Sequence, residues 1–340
     1  MNQTQQKEYM HRSIELAKNG IHSCKPNPRV GCVIVKDEKV IGEGWHKKTG
    51  GDHAEIMALK SCEEDPEGSV VFVSLEPCTH KGRTAPCIDA LIQAKVSKVI
   101  FSSMDPNPKV SGKSIDILNA AGIEVSHGLL EEESTELNIG FFQRMRLNRP
   151  FIRSKIGSSL DGKISLANGE SKWITSEESR KDVQNLRAKS CAIMTSSQTV
   201  LADDASLNVR IDDFSDEDQP LRIVIDSSRR CSGNEKIFQL PGETMIHSKR
   251  ADQALFDHLA LMEINNVLIE AGPRLNGALL GSDLIDELII YMSPCILGND
   301  AKDMFDFPAI EKLSDRYSFV VHNLDKIGAD MKITLRKESV

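Results

Sequence analysis

Val70-Val71-Phe72-Val73-Ser74-Leu75 is a nearly unbroken apolar run that stops at Glu76-Pro77-Cys78. A run this short and this rich in valine reads as a strand buried on both faces, as in a parallel sheet covered by helices. The flanking sequence agrees. Upstream, residues 53–62 read as a helix, residues 30–35 as a strand and residues 40–44 as its hairpin partner. Lys25-Pro26-Asn27-Pro28 cannot be helical. Before it, residues 4–19 place Met10, Ile14 and Ala17 at helical spacing and stop at Gly20. Downstream, residues 86–94 read as a helix with Pro86 at the favoured first position. Residues 98–102 read as another buried strand, 112–121 as a helix, and Gly122 turns the chain into a strand ending at Val125. Strands alternating with helices indicate an α/β sheet covered on both faces.

One helix is expected next. Glu131, Glu132, Glu133 and Glu136 open it, and Arg144 and Arg146 close it, the charge order that suits the helix dipole. Asn148-Arg149-Pro150 breaks the pattern and puts a domain boundary there, giving domains 1–148 and 149–340. The second begins afresh with a strand over 151–156. A helix over 176–188 feeds a strand over 191–195, and further strands are expected over 221–226, 267–270 and 288–292. The acidic stretch 212–219 reads as a surface loop. This half is again α/β.

Composition bounds the function. The chain has 340 residues, 40% hydrophobic and 27% charged, which suits two folded domains rather than disorder. The net charge of -8 disfavours nucleic acid, whose ligands usually carry a basic excess, and favours a small-molecule substrate. No run approaches the roughly 18 apolar residues of a membrane span, and the polar stretch 1–18 is not a secretory signal. The expected location is cytoplasmic, where the eight cysteines stay thiols or metal ligands.

His53-Ala54-Glu55, with Cys78 and Cys87, is the strongest chemical pattern. A catalytic zinc takes three protein ligands and keeps a fourth position open; His53, Cys78 and Cys87 supply the three. Such a metal makes hydroxide available at a pH of about 7. Glu55 is then the proton carrier, like the glutamate two residues after the histidine in zinc deaminases. Residues two apart do not share a face in mid-helix, so His53 must sit at the helix start, which Gly50-Gly51 just upstream allows. Cys78 is expected at a strand-to-helix turn, where a helix N-terminus favours the thiolate. A structural zinc would want a fourth protein ligand, His80 or Cys32, but has no use for the His-x-Glu triplet. Cys62, Cys191, Cys231 and Cys295 read as small buried apolar residues.

The triplet and the cysteine pair resemble the cytidine-deaminase-like zinc family. There the two cysteines are usually two residues apart; here eight intervene. The whole run from Leu75 to Cys87, including Thr79-His80-Lys81-Gly82-Arg83-Thr84-Ala85-Pro86, resembles the deaminase domain of the bifunctional deaminase–reductases of riboflavin biosynthesis. So do Lys25-Pro26-Asn27-Pro28-Arg29-Val30-Gly31-Cys32, Asp105-Pro106-Asn107-Pro108 and Ser126-His127-Gly128. Ala85 stands where that family more often has a second proline. The resemblance covers essentially the whole chain. It implies a cytidine-deaminase-like α/β/α sandwich followed by a dihydrofolate-reductase-like α/β domain. It also implies that Asn27 hydrogen-bonds the pyrimidine, that His46 and His80 line its pocket, and that Arg83 meets a phosphate.

The second domain lacks the Gly-x-Gly-x-x-Gly fingerprint. Its phosphate-binding candidate is a strand running through Glu270-Ala271-Gly272 into a helix that opens at Pro273, where free backbone amides suit a pyrophosphate. On its own, such a turn reads equally well as a tight connection. Ser154-Lys155-Ile156-Gly157-Ser158-Ser159-Leu160-Asp161-Gly162, Ser171-Lys172-Trp173-Ile174-Thr175 and Thr199-Val200-Leu201-Ala202-Asp203-Asp204 resemble blocks of the same family's reductase. That resemblance implies NADPH contacts from Gly157, Trp173, Thr199, Asp203, Ser227, Gly272, Pro273, Arg274, Leu275, Asn276, Gly277 and Ala278. It implies substrate contacts from Ser171, Arg187, Leu207, Arg210 and Glu270, with Lys155 and Asp203 positioning or polarising near the ribose. Arg187 and Arg210 suit a sugar phosphate; alternatively Arg187 is a surface ion-pair residue and Trp173 plain core.

The implied reaction is zinc-dependent hydrolytic deamination of 2,5-diamino-6-(5-phosphoribosylamino)pyrimidin-4(3H)-one, then NADPH-dependent reduction of the ribosyl group to ribityl. The implied cofactors are Zn2+ and NADPH, and the family suggests a homo-oligomer. Two other readings stay open: a nucleoside or tRNA deaminase with an accessory domain, and a non-enzymatic zinc-stabilised nucleotide-binding module.

Overall fold

The computed structural model describes residues 1–79, 85–108 and 110–337. The chain divides into two compact units, Met1–Asn148 and Arg149–Val340.

The first unit runs α1 (Gln3–Lys18), β1 (Gly31–Lys36), β2 (Lys39–Trp45), α2 (Ala54–Lys60), β3 (Val70–Leu75), α3 (Cys87–Gln93), β4 (Lys98–Ser103), α4 (Lys113–Ala120), β5 (Glu124–His127), α5 (Glu131–Leu137) and α6 (Ile139–Leu147). Among the described residues its strands form one sheet in the order β2-β1-β3-β4-β5. β1 is antiparallel to both neighbours, while β3, β4 and β5 are parallel. The alternation along β3 explains its apolar run. Val71 and Val73 face Ala54, Ala58, Ile88, Leu91 and Leu118 from α2, α3 and α4. Phe72 faces the other way, onto Met10 and Ile14 of α1. Burying each such side chain is worth about 1.5–3 kcal/mol.

The single helix expected over the acidic-to-basic stretch is two helices. Asn138 leaves the helical path (φ -115°, ψ 21°). Its side chain accepts from Arg29 N (2.8 Å) and donates to Arg29 O (2.8 Å). This long-range amide pairing replaces two helical turns' continuity, and charge order along the chain carries no trace of it.

The second unit runs β6 (Phe151–Ser159), β7 (Lys163–Ser165), α7 (Glu177–Lys189), β8 (Ala192–Ser196), α8 (Ser197–Asp203), β9 (Leu221–Ile225), α9 (Lys236–Gln239), β10 (Thr244–His247), α10 (Gln253–Leu261), β11 (Asn266–Ile269), α11 (Pro273–Gly281), β12 (Glu287–Ser293), β13 (Lys302–Asp303), β14 (Phe319–Ile327) and β15 (Asp330–Lys337). Its main sheet has the order β10-β9-β8-β11-β6-β12-β15-β14. The strands from β10 to β12 are parallel, and the hairpin β14–β15 closes one side antiparallel. Residues of α10 and α11 pack on one face and residues of α7, α8 and α9 on the other. Asp330 ties the hairpin to α7, accepting from Ser176 N (2.7 Å) and Ser179 Oγ (2.6 Å). Among the described residues no helix is long and apolar enough to cross a membrane.

Gly44 in β2 sets how closely α2 approaches the first sheet. A Cβ there would lie 2.4 Å from Ala58 N and 2.6 Å from Ala54 O, both helix backbone. Gly44→Ala is expected to destabilise the first unit by about 1–3 kcal/mol through overpacking. In a Trp173→Phe background the one remaining tryptophan, Trp45, reports this unit. An unchanged urea midpoint of its fluorescence would show that α2 can shift at no cost.

Candidate active sites

In the first unit, His53 is the N-cap of α2 with extended backbone (φ -73°, ψ 165°), so Glu55 lies just inside the first turn. This is the placement that lets a His-x-Glu pair converge despite its spacing. Cys78 lies just past the end of β3, and Cys87 is the first residue of α3, with Pro86 as its N-cap rather than its first turn. His53 Nδ1 is 3.0 Å from Cys87 Sγ and 3.5 Å from Cys78 Sγ, and the two sulfurs are 3.4 Å apart. A tetrahedral zinc with bonds of about 2.0–2.3 Å would hold such donors roughly 3.5–3.8 Å apart, so the three fit one metal closely. Among the described residues they are the one group of three or more ligand side chains close enough to share an ion. Cys32 is instead part of the apolar core.

The electrostatics suit metal binding. Cys87 N–H donates to Cys78 Sγ (3.2 Å). Hydrogen bonds from Cys87 first, then from His53, pull the Cys78 thiol well below its ordinary value. Glu55 is buried, and desolvation first, then the neighbouring Cys78, pushes its carboxyl up to about 7. The His46 ring meets His53 edge-on at 5.3 Å. Its Nε2 is 3.0 Å from Asn27 Nδ2 and its Nδ1 3.0 Å from Asp52 O. Asn27 and His46 are thus joined to the metal triad. His80 and Arg83 lie outside the described residues.

Sequence reasoning did not single out Glu76. Buried two residues before Cys78, its carboxylate accepts from Asp105 N (3.1 Å), Gly112 N (3.2 Å), Ser114 N (3.3 Å) and Ser114 Oγ (2.8 Å). It pins the chain after β4 beside the cysteine. All its partners are distant in sequence, so no local signal marks it.

In the second unit a cleft of about 700 Å³ opens at the C-terminal ends of the parallel strands. Gly157, Ser171, Trp173, Thr199, Asp203, Leu207 and Gly272 line it together with Lys155, Arg187, Arg210 and Glu270. Trp173 is 69% exposed, so it is not core. Glu270 is buried and anchors the cleft. Arg187 grips both its oxygens (Nε–Oε1 2.6 Å, Nη2–Oε2 3.0 Å), and Lys155 Nζ is 3.2 Å from Oε2. Burial alone would raise the Glu270 pKa; Arg187 and then Lys155 overcome it and hold the group at about 2. The remaining Arg187 nitrogen donates to Asn208 O (3.0 Å). Arg187 is therefore not a surface ion-pair residue: it is buried, and it lines the cleft. Arg210 is exposed at the cleft and held by Ser206 and Asn208.

The other expected cofactor residues are spread more widely. Gly272 caps α11 with no side-chain hydrogen bond, and Pro273 opens the helix, which leaves the first-turn amides open. Arg274 is exposed beside Asp306, and Ala278 is exposed further along the helix. The side chains of Leu275 and Asn276 turn inward: Leu275 joins the core, and Asn276 accepts from Ser154 Oγ and donates to Ala271 O. Gly277 packs against the Asp306 backbone. Ser227 is exposed in the turn after β9. Tyr291, which was not anticipated, lines an adjoining pocket of about 370 Å³ that shares Lys155, Arg187, Arg210 and Glu270 with the cleft. Its hydroxyl donates to Asp182 (2.5 Å), which also receives Lys332 Nζ (2.6 Å). A tyrosine flanked by apolar residues in the strand expected over 288–292 calls for a hydroxyl partner once buried, and that was the available signal. Cys62, Cys191, Cys231 and Cys295 are half-buried rather than fully buried.

One unit thus offers a three-donor metal site with a buried carboxyl beside it, and the other a charged cleft at the C-terminal ends of its parallel strands. The class they define joins a zinc-dependent deaminase to a reductase. Residues 3–103 match the cytidine and deoxycytidylate deaminase zinc-binding region, and residues 150–332 match the RibD C-terminal domain. The chain is 44% identical to the riboflavin biosynthesis protein RibD of Escherichia coli, over 97% of this chain and 99% of that one. A solved structure of Acinetobacter baumannii RibD superposes with a TM-score of 0.94 at 40% identity over 99% of both chains. A Thermotoga maritima structure named as a diaminohydroxyphosphoribosylaminopyrimidine deaminase/5-amino-6-(5-phosphoribosylamino)uracil reductase gives 0.91 at 32% identity, over 98% of this chain and 99% of that one. The chain belongs to the RibD family of bifunctional, zinc- and NADPH-dependent enzymes of riboflavin biosynthesis.

The Glu270 cluster makes a pH prediction. Its folded pKa of about 2 lies below the ordinary 4.5. Its contribution to stability is therefore complete above about pH 4.5 and is lost as pH falls toward 2, about 3 kcal/mol in order of magnitude. Hydrogen exchange of the β11 amides should accelerate across that window in the wild type. In Glu270→Gln the same amides should exchange faster at pH 6 and lose that acid limb; an identical acid profile in both proteins would refute the assignment.

Proposed function

We propose that the first unit removes the 2-amino group of 2,5-diamino-6-(5-phosphoribosylamino)pyrimidin-4(3H)-one, and that the second reduces the ribosyl group of the product to ribityl. The observation that carries the first assignment is the convergence of His53, Cys78 and Cys87 with buried Glu55 beside them. His53, Cys78 and Cys87 would hold the zinc, which when bound lowers the pKa of water to about 7. Glu55 takes a proton from the attacking water and delivers protons to the ring nitrogen and the departing amine, so that one water is consumed and one ammonia released. Its raised pKa suits a group that must both accept and donate. Asn27, oriented by His46, hydrogen-bonds the ring; His46 and His80 are assigned to its pocket and Arg83 to the phosphate.

In the second unit NADPH supplies the hydride that reaches C1′ of the opened ribose. The open amides of Gly272, Arg274 and Leu275 at the start of α11 bind its pyrophosphate, and Pro273, Asn276, Gly277 and Ala278 complete the cofactor contacts of this turn and helix. Gly157, Trp173, Thr199, Asp203 and Ser227 contact the rest of the cofactor. Ser171, Leu207 and Arg210 contact the substrate, with Arg210 on its phosphate. Lys155 polarises the ribose, and Arg187 acts through Glu270, which it fixes in place. The protein works in the cytoplasm as a homo-oligomer. Edge strand β14, with exposed Val321 and Leu324, fits pairing with a second copy.

Mass-resolved product analysis with the diaminopyrimidinone ribosyl phosphate separates the two halves. The oxo product should form without NADPH and the ribityl product only with it. Glu55→Ala should keep stoichiometric zinc and lose ammonia release by at least about 100-fold. Persistent deamination in that variant removes Glu55 from its role; failure of the wild type to form either product sinks the substrate assignment.

A further inference from the structure

Among the described residues that line the second unit's cleft Trp173 is the one aromatic, and 69% of it is exposed. An indole so exposed turns about its side-chain bonds unless something holds it, and a side chain that is fixed only on binding costs affinity. Here the holder is Arg180. Its guanidinium carbon lies 4.4 Å from the centre of the Trp173 ring, and its Nη1 donates to Thr175 O (2.6 Å), two residues further along the same segment. Stacking on an indole while hydrogen-bonding a neighbouring carbonyl uses the planar fork that lysine lacks.

The segment that carries Trp173 is itself closely placed. Thr175 packs on β6 at Gly157, where an added Cβ would meet Thr175 Cγ2 at 3.3 Å. Ser176 caps α7, and its backbone N donates to Asp330 (2.7 Å). Arg180 lies one turn into that helix, with its own N bonded to Ser176 O (3.2 Å). The backbone from Thr175 to Arg180 is therefore fixed, and the Trp173 ring is the part left to the guanidinium.

One face of α7 orders the site. Arg180, Gln184 and Arg187 follow one another at spacings of four and three, which puts them in one row along the helix. Arg187 holds Glu270 at the end of β11, Gln184 Oε1 accepts from Arg210 N (2.9 Å), and Arg180 holds Trp173 and Thr175. Val183 and Leu186 bury the helix against the sheet, so the row has a fixed height. Trp173 lines both the cleft and the adjoining pocket together with Lys155 and Glu270, beside which the reacting ribose is proposed to lie. The part of NADPH that must come within reach of that ribose is the dihydronicotinamide.

We propose that Arg180 is a positioning residue for the reduction: it fixes the Trp173 ring as a wall for the nicotinamide end of NADPH. This rests on the reading of the second unit as a reductase with Trp173 among its cofactor contacts.

The test is a thermodynamic cycle: isothermal titration of NADPH into the full-length, zinc-loaded protein, Arg180→Gln, Trp173→Leu and the double variant. Arg180→Gln should weaken NADPH binding about fivefold, and Trp173→Leu by at least as much. Adding Arg180→Gln to Trp173→Leu should then change the affinity by less than about twofold, because the arginine has lost the ring through which it acts. A general folding defect would instead appear in both backgrounds. Arg180→Lys, which keeps a cation at the ring without the fork, should bind NADPH with an affinity between those of the wild type and Arg180→Gln. An Arg180→Gln penalty that is the same with and without Trp173, or smaller than about twofold in the wild-type background, overturns the inference. NADPH binding that Trp173→Leu leaves unchanged overturns it too, with the reductase reading intact. A wild type that binds no NADPH removes that reading, and the inference falls with it.

Discussion

A strand packed on both faces has little room for charge, and in three places this chain places a buried carboxylate on the first residue beyond such a strand. Glu76 follows β3, Asp226 follows β9 and Glu270 follows β11. An ionised carboxyl in that position is stable only if hydrogen bonds or cations replace its lost water. Each therefore recruits partners from outside its strand and holds them at the strand's end.

The three carboxylates are satisfied differently, and the difference sorts their roles. Glu76 and Asp226 take mainly backbone amides, with Ser114 Oγ also bonding Glu76, which fixes loop conformation. Glu270 takes Arg187 and Lys155, which fixes charge rather than backbone. The cations that a substrate anion would meet in the cleft are in part already engaged, Arg187 with both Glu270 oxygens and with Asn208 O. A buried pair of this kind is costly to break, although an apolar replacement of the same volume is often as stable as the intact pair. Its consequence is placement: Lys155 and Glu270 are held where the reacting ribose is proposed to lie.

The sequence made visible those features whose cause is local. β3, β4 and β11 are apolar because they are buried on both faces, so their composition alone marks them. The metal triad was readable because zinc chemistry restricts residue type, and because a His-x-Glu pair has one economical placement at a helix start. The hairpin β14–β15 was not readable. β14 is exposed along nearly its whole length, so it carries no alternation of apolar and polar residues. The break at Asn138 depends on Arg29, 109 residues away. Glu76 and Tyr291 were missed for the same reason: each is defined by partners that only the fold brings near.

The metal site shows how a loose sequence pattern becomes a tight geometry. Eight residues separate Cys78 from Cys87, far more than a single turn requires, and yet their sulfurs are 3.4 Å apart. What closes the distance is not the intervening segment alone. Cys78 is placed by the end of β3, Cys87 by the start of α3, and α3 packs on the same face as α2 through Ile88 and Leu91. The Cys87 amide, free because it opens a helix, donates back to the Cys78 sulfur. His53 arrives from a third element, α2, whose distance from the sheet is set by the absence of a side chain at Gly44. Three separately anchored ends therefore converge on one point. The intervening segment is then free to differ in length without moving the ligands, and a family with two residues between its cysteines and one with eight can hold the same metal.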